Sequence, residues 1–263
     1  MAGRLNGKVI IVTGAGSGIG RATAQLFSAE GAYVVCSDLN QEGAMQTLEA
    51  MPGKVARTAI ALKADVTVPA EVEYLVAQTV KTFGRLDVLY ANAGIGESCN
   101  AIDLTIEQWS RMIAVNLTSV WLSAKYALPH MIAAGGGSII NQSSSAGLMA
   151  VPAMPHYCAA KTGVIGLTRQ LALDYGPKGV RVNAICPSAI ATPLMDSVWA
   201  KRARDAGSDM TIPQLESAAA AKLPLRRLGV VADCAHLALF LASDESSWIT
   251  GAAIPLDGGL AAT

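Results

Sequence analysis

Val9-Ile10-Ile11-Val12-Thr13-Gly14-Ala15-Gly16-Ser17-Gly18-Ile19-Gly20 is a short apolar run that stops in a glycine-rich turn. Four β-branched residues bounded by glycine predict a buried strand, and a helical pattern begins at about Ile19, so the chain turns sharply from strand to helix. Free amides at the start of such a helix suit a pyrophosphate, and glycines remove the Cβ atoms that would block its approach. The spacing departs from the familiar G-x-G-x-x-G: Gly14, Gly18 and Gly20 form G-x-x-x-G-x-G, with Ser17 and Ile19 in the same turn. A glycine-rich turn that holds no ligand is the plainer alternative.

Outward from this turn, β-branched runs alternate with helical patterns. Tyr33 to Cys36 precedes a helix from about Gln41, and a strand near Ala59 to Lys63 precedes a helix from about Glu71 to Phe83. Asp87 to Tyr90 leads into one long helix from about Ile106 to Met131. Strands return at Ser138 to Asn141, Val180 to Ile185 and Ala252 to Leu256, with helices from Tyr157 to Tyr175 and Ala232 to Leu241. Nearly continuous apolar strands imply a sheet covered on both faces. The expectation is therefore an α/β fold, a single Rossmann-type domain over 1–263 with a doubly wound parallel sheet of about seven strands. The least regular part, 189–227, reads as a lid over the substrate or as an exposed helical insertion.

Composition narrows the function. The chain of 263 residues is 52% hydrophobic and 15% charged, with 20 Lys+Arg against 20 Asp+Glu. Such a balance gives no electrostatic reason for a nucleic-acid or anionic-membrane partner, which leaves a small molecule. Five scattered cysteines without a CxxC pair suit a reducing cytoplasm. Three histidines, His130, His156 and His236, show no metal-ligand spacing, so no metal is expected. The uncharged stretch from Met131 to Ala160 is broken by Gly135-Gly136-Gly137, polar residues, Pro152 and Pro155, which denies it a membrane-spanning helix.

The second strand ends at Asp38, eighteen residues beyond Gly20, where an acidic side chain meets the adenosine ribose hydroxyls of a dinucleotide. The same carboxylate repels a 2′-phosphate, and Leu39 rather than arginine follows it, so NAD is favoured over NADP. A strand-end turn is the bland reading of Asp38. Tyr157 and Lys161 lie four residues apart and share a helical face. Alcohol oxidation needs a base, and a phenol of pKa about 10 is too weak unless made more acidic. A lysine charge about 4 Å away at an effective dielectric of about 20 supplies roughly the 4 kcal/mol that a three-unit shift requires.

The glycine turn, Asn92-Ala93-Gly94, Asn116, Ser143-Ser144-Ser145 and Tyr157-x-x-x-Lys161 occur in an order that resembles the short-chain dehydrogenase/reductase family over essentially the whole chain. The resemblance implies that Tyr157 is the general acid/base. It implies that Lys161 lowers the tyrosine pKa and holds the nicotinamide ribose, that a serine hydrogen-bonds the substrate oxygen, and that Asn116 holds a water linking the lysine to solvent. The family's interval of thirteen residues before the tyrosine selects Ser144, with Ser143 as the fallback. Asp65 and Val66 look like the adenine contacts, and Asn92, Ala93 and Gly94 like the strand end beneath the cofactor; Asp65 is equally readable as a turn residue. The family's usual Pro-Gly is here Pro187-Ser188, with the Ile190 backbone and Thr192 as candidates for the carboxamide. Family members commonly form homotetramers through the long helices.

By position, Leu148, Met149, Met154, Ser188, Met195 and Trp199 surround the reacting carbon, and with Ser144 and Tyr157 they suggest a neutral, largely apolar substrate. Only Lys201, Arg202 and Arg204 offer a charge to an acidic one. His156 is a pocket-rim or structural residue. Two rival readings, a non-catalytic NAD(H) sensor and a Rossmann methyltransferase, share the glycine turn but have no use for the Asn116, Ser144, Tyr157, Lys161 set.

Overall fold

The computed structural model describes residues 3–51, 58–205 and 207–262. Among them, seven strands form one sheet with every pairing parallel. They are β1 (Val9–Thr13), β2 (Tyr33–Asp38), β3 (Ala59–Lys63), β4 (Val88–Ala91), β5 (Gly137–Gln142), β6 (Val180–Pro187) and β7 (Ala253–Leu256), in the order β3-β2-β1-β4-β5-β6-β7. The direction of winding reverses between β1 and β4, which opens a crevice at the carboxyl ends of the strands.

Both faces of the sheet are dry, and β1 shows why its sequence is apolar from Val9 to Val12. Ile10 and Val12 point into a core shared with Phe27 of α1 (Gly18–Ala29) and Leu239 of α9 (Val231–Ala242). Ile11 points the other way, into a core with Leu75 of α3 (Pro69–Phe83), Leu128 of α5 (Ser119–Ala133) and Leu171 of α6 (Pro155–Tyr175). A strand with period-two side chains and two buried faces leaves little room for polar residues along its length. Besides these, α2 (Gln41–Glu49) follows β2 and α4 (Ile106–Ile113) precedes α5.

One expectation is corrected here. The long helix over 106–131 is not continuous: a π-helical turn, Ala114–Thr118, separates α4 from α5. One extra residue per turn leaves the apolar periodicity on either side intact, so the pattern in sequence reads as one helix. The irregular stretch 189–227 contains two helices, α7 (Pro193–Asp205) and α8 (Ile212–Ala220). Pro213 sits at the start of α8, where proline is accommodated without loss of a helical hydrogen bond.

Candidate active site

A cavity of about 770 Å³ fills the crevice, within the size range of small-molecule sites. One wall is the glycine turn: Gly14, Ser17, Gly18, Ile19 and Gly20 all line it. A Cβ on Gly20 would lie 2.1 Å from the Gly14 carbonyl oxygen, so the turn can fold this tightly only without a side chain there. Gly16 has a different role. Its amide donates to Asp38 Oδ2 at 2.8 Å, and a Cβ would collide with that carboxylate. The second carboxylate oxygen, Oδ1, accepts from the Asn40 amide at 2.8 Å. Asp38 and Leu39 both face the cavity, whereas Arg21 turns its guanidinium to the Gly16 carbonyl and to Thr47.

The floor is formed by the ends of β3 and β4. Asn92 Nδ2 donates to the Thr13 carbonyl at 2.9 Å and to the Gly14 carbonyl at 3.3 Å, so this side chain holds the glycine turn onto β4. Ala93 and Gly94 line the cavity beside it, with Asp65 and Val66 beyond. Asp65 Oδ1 accepts from the Thr67 amide at 2.8 Å and its hydroxyl at 2.7 Å; it is a turn-forming residue that also borders the cavity.

Tyr157 and Lys161, on the first turns of α6, face the cavity together with Ser144, which follows β5. Ser144 is the serine whose hydroxyl bears on the Tyr157 phenol; its Oγ donates to the Pro187 carbonyl at 3.4 Å and accepts from the Ala146 amide at 3.1 Å. Ser143 is spent on the Lys161 carbonyl, to which its Oγ donates at 2.8 Å, and Ser145 is buried. Lys161, 3% exposed, donates from Nζ to the Gln142 carbonyl at 2.8 Å and lies over the Tyr157 ring, 5.6 Å from its centroid. Asn116 sits in the π-helical turn. Its Oδ1 accepts from the Ile95 amide at 3.2 Å and its Nδ2 donates to the Ile95 carbonyl at 3.0 Å. A Cβ on Gly94 would lie 2.7 Å from Asn116 Oδ1 and 3.7 Å from Lys161 Nζ, so the amide and the ammonium flank the same bare glycine.

The expected acidification of Tyr157 by Lys161 is reversed in these surroundings. Burial pushes the phenol above its ordinary value; the Ser144 hydroxyl opposes this and the nearby Cys158 adds to it. Burial also lowers Lys161, to about 8, partly offset by Cys186. With the ammonium over the ring face and directed at a carbonyl, desolvation outweighs its attraction for a phenolate.

Of the residues expected near the reacting carbon, Met154, Ser188, Met195 and Trp199 line the cavity with Ser144 and Tyr157. Leu148 and Met149 do not. They follow a short 3₁₀ turn, Ser145–Gly147, and are each 39% exposed, because that turn swings the chain outward. Pro187, Ile190 and Thr192 form the wall opposite the glycine turn; a Cβ on Gly18 would lie 3.6 Å from Thr192 Cγ2. Ile190 is held by a bridge to Gly229. His156 is fully buried and outside the lining, hence structural rather than at the rim. Sequence reading missed Arg111, Val151 and Val198 in the wall. Of the three charges it left open to an acidic substrate, Lys201, Arg202 and Arg204, the wall takes Arg202. The 195, 198, 199, 202 spacing on one helix is the signal that finds Val198 and Arg202. Among the described residues no His, Cys, Asp and Glu cluster has metal-binding form, and no helix is long and apolar enough to cross a membrane.

A family model described as Enoyl-(Acyl carrier protein) reductase, of the short-chain type, matches residues 14–261. The chain belongs to the short-chain dehydrogenase/reductase family. Among its relatives in this family, cyclohexanol dehydrogenase from Acinetobacter sp. (strain SE19) is 41% identical over 98% of this chain and 96% of its own. Meso-2,3-butanediol dehydrogenase from Serratia marcescens is 36% identical over 99% of this chain and 97% of its own. The crystal structure of levodione reductase superposes with a TM-score of 0.91 at 33% identity, covering 98% of this chain and 99% of that one. The chain is thus a short-chain dehydrogenase/reductase with a Rossmann-type sheet, an oxidoreductase similar to enzymes that act on alcohols.

Proposed function

We propose that this protein interconverts a secondary alcohol with a largely apolar body and the corresponding ketone, using NAD(H), with Tyr157 as general acid/base. The observation that carries the reading is that Ser144, Tyr157 and Lys161 line one cavity with the glycine turn and Asp38. A bound nicotinamide cofactor supplies or accepts the hydride. Gly14, Ser17, Gly18, Ile19 and Gly20 are assigned to its pyrophosphate. Asp38, Leu39, Asp65 and Val66 are assigned to its adenosine, and Asn92 to Gly94, Lys161, Pro187, Ile190 and Thr192 to its nicotinamide end. An acidic side chain fixed by Gly16 and Asn40, with Arg21 turned away, supports NAD over NADP.

The residues then divide the proton work. Ser144 Oγ and the Tyr157 hydroxyl both donate to the substrate oxygen and stabilise charge developing on it. Because burial raises its pKa, Tyr157 keeps its proton at neutral pH and is ready to protonate a ketone oxygen. Alcohol oxidation runs the same transfer backwards and gains as pH rises. Lys161 anchors the ribose, and Asn116 holds the strand-end backbone at Ile95 beside it. The 189–227 segment, which supplies Met195, Val198 and Trp199 to the wall, is assigned as the lid, part of one catalytic unit over 1–263. Five free cysteines fit a cytoplasmic protein, and assembly as a homotetramer completes the proposal.

The test is turnover of cyclic, aryl and aliphatic secondary alcohols followed by near-ultraviolet absorbance of the reduced cofactor, with Tyr157→Phe alongside. Turnover with NAD is expected, and a loss of at least about 100-fold in the variant with NADH affinity retained. Tight NADH binding with no turnover across the panel overturns the enzyme reading in favour of a sensor.

A further inference from the structure

Beyond its first two residues, α7 lines the cavity with Met195, Val198, Trp199 and Arg202, and Arg202 brings the one charge of this set. Arg202 Nη2 donates to the Pro152 carbonyl at 3.0 Å. Pro152 belongs to the loop that leads into Tyr157 and gives Val151 and Met154 to the wall, so Arg202 stands at the substrate end, away from Asp38. Its Nε is buried and has no acceptor among the described residues. Among the described residues no carboxylate pairs with it: Lys201 takes Asp205 and Arg227 takes Asp233. Glu97, the acid of this end, accepts from Gln108 Nε2 at 2.8 Å and bears on Lys201 and His156. Arg111, the other guanidinium of the lining, is exposed and keeps its water.

A guanidinium drawn partly out of water, with an unused N–H and no counterion, is costly unless an anion completes it, and its planar fork matches an oxyanion. Burial already pushes its pKa down, the direction in which a missing negative charge is felt. We propose that Arg202 is a specificity-determining residue that binds an oxyanion, a carboxylate or sulfonate, carried by the substrate at the end remote from its carbinol. This rests on the alcohol reading above and narrows its substrate to an apolar secondary alcohol with a distal acid group. The sequence favours a neutral substrate and leaves Arg202, with Lys201 and Arg204, as the charges open to an acidic one.

The experiment measures binding, so that it stands apart from turnover. Protein saturated with NADH is titrated calorimetrically with cyclohexanecarboxylate, cyclohexanesulfonate and cyclohexanecarboxylic acid methyl ester. The expected result is that at least one anion binds about tenfold or more tighter than the ester, as a charge-assisted fork contact allows. That preference falls to about one in Arg202→Met, is partly kept in Arg202→Lys and is retained in Arg111→Met. Equal affinity of ester and anions in the wild type overturns the proposal even if a variant fails to fold. A preference that survives Arg202→Met, or vanishes in Arg111→Met, overturns it equally. Anion preference without turnover of any alcohol leaves this site standing and sinks the catalytic reading instead.

Discussion

Burial sets the charge of Lys161 against the stability of the protein around it. Its pKa falls from 10.5 to about 8, so the folded chain holds this proton less tightly than the unfolded chain does. The cost is present in full below about pH 8 and fades as pH rises from about 8 towards 10.5. Lys161→Met removes the cost but leaves the Gln142 carbonyl without its donor. A net stabilisation of about 1–2 kcal/mol at pH 7 is expected, a few degrees in melting temperature, together with loss of turnover. Thermal melts at pH 7 and pH 10 check it: the advantage should shrink at the higher pH, and a variant less stable at both would refute the account. Asp38 carries a second residue-scale prediction. Asp38→Asn keeps the shape of the side chain and removes its charge, so the ratio of kcat/KM for NAD over NADP should fall at least about tenfold, the size of one lost charged contact. An unchanged ratio would mean that the carboxylate serves only Gly16 and Asn40.

Secondary-structure elements hold the site through one close packing that the helical pattern does not reveal. α6 crosses the π-helical turn at Gly163, where a Cβ would come within 2.8 Å of Leu117 Cδ2. Asn116 and Lys161 are therefore held near each other where the Leu117 side chain packs onto the bare Gly163. Gly163→Val should push α6 away, costing about 1–3 kcal/mol and lowering kcat more than cofactor affinity. Thermal denaturation and steady-state kinetics read the two effects, and a variant with wild-type kcat would show that the crossing does not position the pair. The strands and the Tyr157-Lys161 face were legible in the sequence because period-two and period-3.6 burial leave direct marks, as in Ile10, Ile11 and Val12. The π-helical turn was not, because one inserted residue leaves no compositional trace. Leu148 and Met149 were misplaced because position in a loop says nothing of direction, and the 3₁₀ turn before them decides it.

At the scale of the whole molecule, the cavity is lined by parts far apart in sequence: the turn after β1, the ends of β4 and β5, the start of α6 and the helix α7. The outer surface carries its own signal. Ile106 and Trp109 on α4, Trp121 on α5 and Leu173 on α6 are large apolar side chains left exposed on the helices proposed to join subunits. Scattered singly such residues need no explanation, but two tryptophans on consecutive helices of one face-covering layer are typical of the anchors of an interface. Light scattering coupled to size exclusion should give a particle of four chains that stays constant on dilution through the micromolar range. Trp109→Glu with Trp121→Glu introduces two charges that a desolvated interface cannot accept, so the particle should fall to dimers or single chains while circular dichroism keeps its helical signal. A single-chain particle for the unaltered protein would refute the tetramer, and a tetramer that survives both substitutions would move the interface to another face, where the exposed Trp248 offers the next anchor.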